Sequence, residues 1–68
     1  MSAITKGSTV RVYKDPLSCK SVEGVGTVTR RPIATGFVDN DNRPLYDAYI
    51  HFPGDSGSYF RTVSEVVS

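Results

Sequence analysis

The sequence predicts an all-β protein, a small barrel of five strands in a single domain. The stretch 43–52 alternates apolar and polar side chains with a period of two, as a half-buried strand does. Shorter stretches with the same alternation lie between clusters of Gly, Pro, Asn and Asp, and no segment shows sustained helical periodicity. Because 68 residues allow only one core, closing the sheet is the economical way to remove free strand edges.

In the first half, residues 1–6 form a flexible lead-in and residues 7–68 the barrel domain. Residues 9–13 alternate as a strand, which Pro16 ends because proline restricts the residue before it. The residues that follow, 16–23, show no period and predict a long loop, with Leu17 or Val22 tucked under the barrel. Strands are then expected over 24–31, where glycines allow a bulge, and over 34–38.

In the second half, the strongest turn signals enclose the central strand. Asp39–Asn42 and Pro53–Gly57 are typical turns, because Asn and Asp bond their own amides and Gly permits unusual backbone angles. A strand over 58–63, a helical turn at Ser64–Glu65 and a short last strand complete the barrel. The alternation predicts this core: Val10, Val12, Val28, Phe37, Tyr46, Ala48, Ile50, Phe52, Phe60, Val63 and Val66.

Composition excludes several classes of protein. One cysteine, Cys19, cannot form an internal disulfide, and one Cys with one His supplies too few ligands for a Cys/His metal cage. We expect no metal and no cofactor. A lone thiol without a signal peptide predicts a cytoplasmic or equivalent reducing compartment. No apolar run approaches the ~20 residues of a membrane span, so no membrane insertion is expected.

The net charge of +1 is unremarkable, but its distribution is uneven. Most Lys and Arg side chains lie in residues 1–31, and most Asp and Glu side chains lie in residues 32–68. If the two halves fold together, their fields largely cancel. The alternative is a dipolar surface that steers a charged partner.

The sequence predicts no enzyme. Gly54–Gly57 copies the nucleophile signature of chymotrypsin-like proteases, but that chemistry needs an oriented histidine and a cleft between sizeable barrels, so a turn is favoured. His51 and Cys19 are interpreted as an exposed strand histidine and an ordinary loop thiol. Asp39, Asp41 and Asp47 lack the spacing of a calcium loop. Catalysis stays open only if an oligomer builds a shared pore.

One constellation remains, a surface of Tyr, Arg and His on the outward phase of neighbouring strands. Tyr and Arg are enriched at the energetic centres of protein interfaces, which predicts a protein-docking face. With Lys14, Arg30 and Arg31, the same surface could stack bases and hold phosphates. The third alternative is that a small barrel leaves tyrosines half-exposed. The predicted partner-binding residues are Arg11, Tyr13, Tyr49, His51, Tyr59 and Arg61.

Several short segments resemble the electron-transport accessory proteins, a group of SH3-like barrels. The segments are 6–12, 23–28, Arg43-Pro44 leading into 49–52, 59–61 and Glu65-Val66. This group includes the variable chain of ferredoxin–thioredoxin reductase and the small E subunit of photosystem I. KOW-type nucleic-acid modules share much of the same spacing of glycine and apolar residues. The stretches 16–22 and 32–42 match nothing in the electron-transport accessory group.

The resemblance implies a cofactor-free subunit that docks on a redox partner, such as an iron–sulfur or photosynthetic complex. We therefore expect an SH3-like barrel that acts as a small non-catalytic binding subunit on a larger protein. The alternative is a KOW-like nucleic-acid-binding barrel. The identity of the partner and the oligomeric state stay open.

Overall fold

The computed structural model describes residues 4–67, which form an all-β protein with no helix among them. All strand pairs are antiparallel. The predicted fold class is confirmed, and the predicted short last strand is present as a two-residue sixth strand. The strands are β1 Thr9–Asp15, β2 Lys20–Val28, β3 Ile33–Val38, β4 Pro44–His51, β5 Tyr59–Val63 and β6 Glu65–Val66.

The strand β4 is the centre of the sheet, as its alternation predicted. One edge of β4 pairs with β5, while the other edge is shared by β3 and β2. β2 also pairs with β1, and β1 pairs with β6. Because only Ser64 separates β5 from β6, the chain passes directly from the edge of β4 to the edge of β1. The sheet therefore curls on itself into a half-barrel.

The core lies inside this curl and consists mainly of valine and isoleucine. β4 crosses β2 where Val28 pairs with Ile50, and both side chains are buried. Gly26 lies at the same crossing, because a Cβ there would lie 2.5 Å from Ile50 Cγ2 and 2.8 Å from the His51 carbonyl oxygen. Tyr46, Phe52 and Val66 pack around the buried cluster, as predicted. The cluster is Ile4, Val10, Val12, Val28, Ala48, Ile50 and Val63.

The predicted long loop over residues 16–23 is wrong, because β1 and β2 form one hairpin. Its turn closes where the Cys19 amide donates to the Asp15 carbonyl over 2.9 Å. Asp15 also accepts hydrogen bonds from Leu17 N and Ser18 Oγ, so proline here starts a tight turn instead of a loop. Leu17 and Val22 are exposed, not tucked under the barrel. β2 accordingly begins and ends earlier than predicted.

Two predicted core residues are exposed, Phe37 at 72% and Phe60 at 54%. Phe60 and Val63 are three residues apart, so a regular strand cannot place both on the same face, and Val63 is the buried one. The predicted helical turn at Ser64–Glu65 is also wrong, because Glu65 pairs with Arg11 in β6.

Two buried apolar residues were missing from the predicted core. Ile4, which the sequence placed in the flexible lead-in, belongs to the buried cluster, and Leu45 is 4% exposed. Residues 1–3 of that lead-in, and Ser68 at the end of the predicted domain, lie outside the described residues.

Candidate functional site

The six residues predicted as one docking face lie in three places. Tyr49 and His51 are on the outer side of β4. Tyr59 and Arg61 pair with Ile50 and Ala48, so they share the side of β5 that carries the core, which corrects their predicted outward phase. The last two, Arg11 and Tyr13, gather around Glu65 at the β1–β6 edge.

The most exposed aromatic contact lies on the outer face of β4 and β5. Tyr49 pairs with Phe60 across the two strands, and their ring centroids are 5.3 Å apart in an edge-to-face arrangement. The Arg30 guanidinium lies 5.0 Å from the Tyr49 centroid, a cation–π geometry. Tyr49 is 40% exposed and Phe60 54%, so both rings present surface area to a partner. We call Arg30, Tyr49 and Phe60 the aromatic patch.

A second aromatic pair lines a groove at the end of the barrel. Phe52 and Tyr59 have ring centroids 5.9 Å apart, and the Arg61 guanidinium lies 5.5 Å from the Tyr59 centroid. Arg61 also donates two hydrogen bonds to Glu23, at 2.8 and 2.7 Å. This pairing lowers the pKa of Glu23 and holds it ionised. The groove has a volume of about 570 Å³.

Arg11 and Tyr13 have a structural partner instead of an open face. Arg11 forms an ion pair with Glu65, and the Tyr13 hydroxyl donates to Glu65 Oε1 over 2.9 Å. Arg43 Nη1 lies 3.2 Å from the same oxygen. Glu65 thus attaches β6 to β1 and to the turn before β4. Arg11 and Tyr13 therefore contact a residue of their own chain.

Asp39 is the buried polar centre of the molecule, 4% exposed. Its carboxylate accepts hydrogen bonds from the amides of Asp41 and Arg43, from Arg43 Nε at 3.1 Å and from Ser64 Oγ at 2.6 Å. Burial alone would raise the pKa of Asp39, but these donors outweigh it and hold the pKa well below its usual range. Arg43 correspondingly has a raised pKa. The turn predicted at Asp39–Asn42 is confirmed and acquires a tertiary role.

Cys19 lies beside this centre. Its Sγ is 3.2 Å from Arg43 Nη2 and 3.5 Å from Asp39 Oδ2. Burial raises the pKa of the thiol, with Arg43 opposing the effect. The environment favours the protonated thiol, in agreement with the interpretation of Cys19 as an ordinary thiol.

His51 lies at the turn that follows β4. Its Nε2 is 2.8 Å from the Asp55 carbonyl oxygen, and the Asp55 amide donates to the Phe52 carbonyl oxygen. The segment with the protease-like motif therefore forms a turn fastened to His51 through the backbone. Within residues 4–67 no cluster of three or more His, Cys, Asp or Glu side chains is arranged to hold a metal ion. The same residues contain no helix long and apolar enough to cross a membrane.

An apolar groove lies farther along the outer face, between the β1–β2 hairpin and β3. Buried Leu45 forms its floor, and Leu17, Phe37 and Val38 line it. The Asn40 amide donates to the Leu17 carbonyl over 2.8 Å, which holds the hairpin against the β3–β4 turn. A hydrogen bond from Thr62 to Asp47 lies at its other end. Sequence reasoning missed this groove because Leu45 breaks the alternation of β4.

The residues predicted for nucleic-acid binding are only partly assembled. Arg30 belongs to the aromatic patch. Lys14 lies along a shallow groove that Phe60 also lines, and Arg31 follows Arg30 just before β3. Among the described residues, no ion pair involves any of these three cations.

No family model, curated protein or solved structure matches the chain. The resemblance to the electron-transport accessory proteins therefore stays a prediction.

Proposed function

We propose that this protein is a non-catalytic binding module that docks on a larger protein through the aromatic patch. The exposed Tyr49–Phe60 pair carries the proposal. Phe60 is more than half exposed although it lies in a regular strand beside the centre of the sheet. Exposed apolar area on a small protein is characteristic of interaction surfaces.

The chemistry of the patch suits an interface centre. Two rigid rings and a planar guanidinium offer area and directional contacts at a low cost in side-chain entropy. Burying both rings under a partner would remove apolar surface from water, while Arg30 could form ion pairs with acidic groups of that partner. His51 follows Tyr49 on the outer side of β4 and would form part of the rim.

The resemblance to the electron-transport accessory proteins implies a specific kind of partner, an iron–sulfur or photosynthetic redox complex. In that case the protein would carry no cofactor and would act by association, with aromatic burial providing affinity and charge providing orientation.

A second candidate function is binding of single-stranded nucleic acid. One observation favours it. Arg30 lies over the Tyr49 ring and Lys14 lines a groove together with Phe60, so bases could stack on the rings while cations contact phosphates. Asp47 lies two residues from Tyr49 on the same outer side of β4, where its carboxylate would repel phosphates, and we therefore favour a protein partner.

Capture of partners from a nuclease-treated native lysate, followed by mass spectrometry, tests the proposal. We expect the wild-type protein to retain one stoichiometric protein, and Phe60→Ala to lose it. Val22→Ala removes an equally exposed apolar side chain from β2 and is the matched control, which should retain the partner. Partners that disappear with nuclease, or salt-sensitive binding to random oligonucleotides, would replace the proposal by the nucleic-acid function.

A further inference from the structure

We propose that two copies of this protein pair through their β3 strands, antiparallel about a two-fold axis near Thr35. β3 ends the sheet order, since it pairs with β4 and with no other strand of the described residues. Such an edge offers backbone donors and acceptors to another strand. The second copy is the occupant to which we commit.

The side chains of β3 favour pairing instead of preventing it. Natural edge strands are often protected by a lysine or a proline, and Ile33–Val38 contains neither and no charged residue at all. Ile33 is 68% exposed and Phe37 72%, the two largest exposed fractions among the large hydrophobic side chains described. These apolar groups are concentrated on the strand with the open edge.

The charges at the two ends of β3 select a second copy in antiparallel orientation. Arg30 and Arg31 precede the strand, and Asp41, whose side chain is 70% exposed although it lies 3.3 Å from Arg43 Nη2 of its own chain, follows it. Antiparallel pairing about Thr35 places Ile33 opposite Phe37 of the second copy. It also brings Arg31 close to Asp41 of the second copy, and the two-fold axis repeats both contacts. A parallel pair would bring like charges together.

The backbone of β3 limits the strength of this contact. Gly36 has a φ of +84°, and the pairing with β4 shifts register between Ala34 and Val38. A bulge of this kind shortens the flat part of an edge. We therefore expect a weak dimer. Its formation does not depend on the proposed docking function.

Dimerisation would extend the sheet as β5–β4–β3 of one copy followed by β3–β4–β5 of the other. The two aromatic patches would then lie on one continuous sheet. A partner with two binding sites would gain avidity from such a particle, a consequence that rests on the proposed function.

Sedimentation equilibrium of the full chain from ~10 µM to ~1 mM tests the pairing over the range of weak affinities. We expect the wild-type mass to rise towards twice the monomer mass. Phe37→Lys and Ile33→Lys should stay monomeric, because each places a charge on the edge. Phe60→Lys adds the same charge to an exposed phenylalanine outside β3 and should dimerise like wild type. Circular dichroism of each variant checks that it is folded.

A charge exchange separates this dimer from non-specific association. Arg31→Glu should weaken the dimer, and the double variant Arg31→Glu, Asp41→Lys should restore it, because the opposite charges meet again. A wild-type protein that stays monomeric at ~1 mM would overturn the proposal. So would a Phe60→Lys variant that loses the dimer, or a double variant that fails to regain it. None of these results depends on the partner captured from a lysate.

Discussion

The Ser64 hydroxyl donates a hydrogen bond of 2.6 Å to the buried Asp39 carboxylate. Ser64 is the single residue between β5 and β6, and Asp39 begins the turn between β3 and β4. The bond therefore joins the end of β5, which pairs with β4, to the turn that leads from β3 into β4. This carboxylate holds together parts of the half-barrel that are distant in sequence.

Replacing Asp39 with Asn should destabilise the protein by about 2–3 kcal/mol. Asn keeps the size of the side chain but removes the charge that satisfies Arg43 and puts an NH₂ group among hydrogen-bond donors. Chemical denaturation measures the loss. Asp41→Asn is the matched control, because Asp41 pairs with the same arginine at an exposed site, and it should change stability by less than about 1 kcal/mol. Equal effects of both changes would contradict the central role of Asp39.

The stability of the protein should fall at acid pH, and Asp39 should contribute to the fall. Its folded-state pKa lies below its unfolded-state pKa, so the unfolded chain binds more protons in acid. The contribution is complete above the unfolded pKa of ~3.9 and is lost as the pH falls from there through the folded pKa. Denaturation between pH 7 and pH 2 should show a shallower acid dependence in Asp39→Asn than in wild type. Parallel curves would assign the acid loss to other carboxylates.

Gly26→Ala should destabilise the protein by about 2–4 kcal/mol, because the new methyl group would overlap the His51 carbonyl oxygen and Ile50 at the β2–β4 crossing. The His51 carbonyl oxygen belongs to the backbone of β4, so relief requires the two strands to separate. Gly57→Ala is the control, since nothing lies within 4 Å of a Cβ there. Thermal melts compare the two variants, and similar melting temperatures would refute the close approach of β2 and β4.

Ile50→Ala should cost about 2–5 kcal/mol, the range for truncating a fully buried side chain. A domain of this size has roughly 3–5 kcal/mol of stability, so the variant should be largely unfolded at 37 °C. Ile33→Ala makes the same truncation at an exposed site and should melt close to wild type. An Ile50→Ala melt within a few degrees of wild type would contradict the core assignment.

Much of the fold was predictable from local pattern. The alternation of β4 places Ala48 and Ile50 inside, because successive side chains of a strand point to opposite faces. The turns at Asp39–Asn42 and Pro53–Gly57 follow from residues that stabilise turns through their own side chains or backbone angles. Tyr49 of the aromatic patch was predicted to face outward on the same grounds.

The rest of the candidate site depended on which strands meet. In β5 the sequence predicted that Phe60 faces inward and that Tyr59 and Arg61 face outward, but the ladder with β4 places Tyr59, Arg61 and Val63 on the core side. Because one step in register exchanges the two faces of a strand, this pairing alone exposed Phe60 against Tyr49.

The sequence by itself therefore determined the all-β class, the central strand and the two turns that enclose it, since these depend on neighbouring residues. Only the tertiary structure decided that Asp39 is buried and hydrogen-bonded to Ser64, and that Phe37 lies at an open sheet edge. It also decided which aromatics face water. The physical reason is that burial and pairing depend on residues far apart in the chain, whose approach local pattern does not encode.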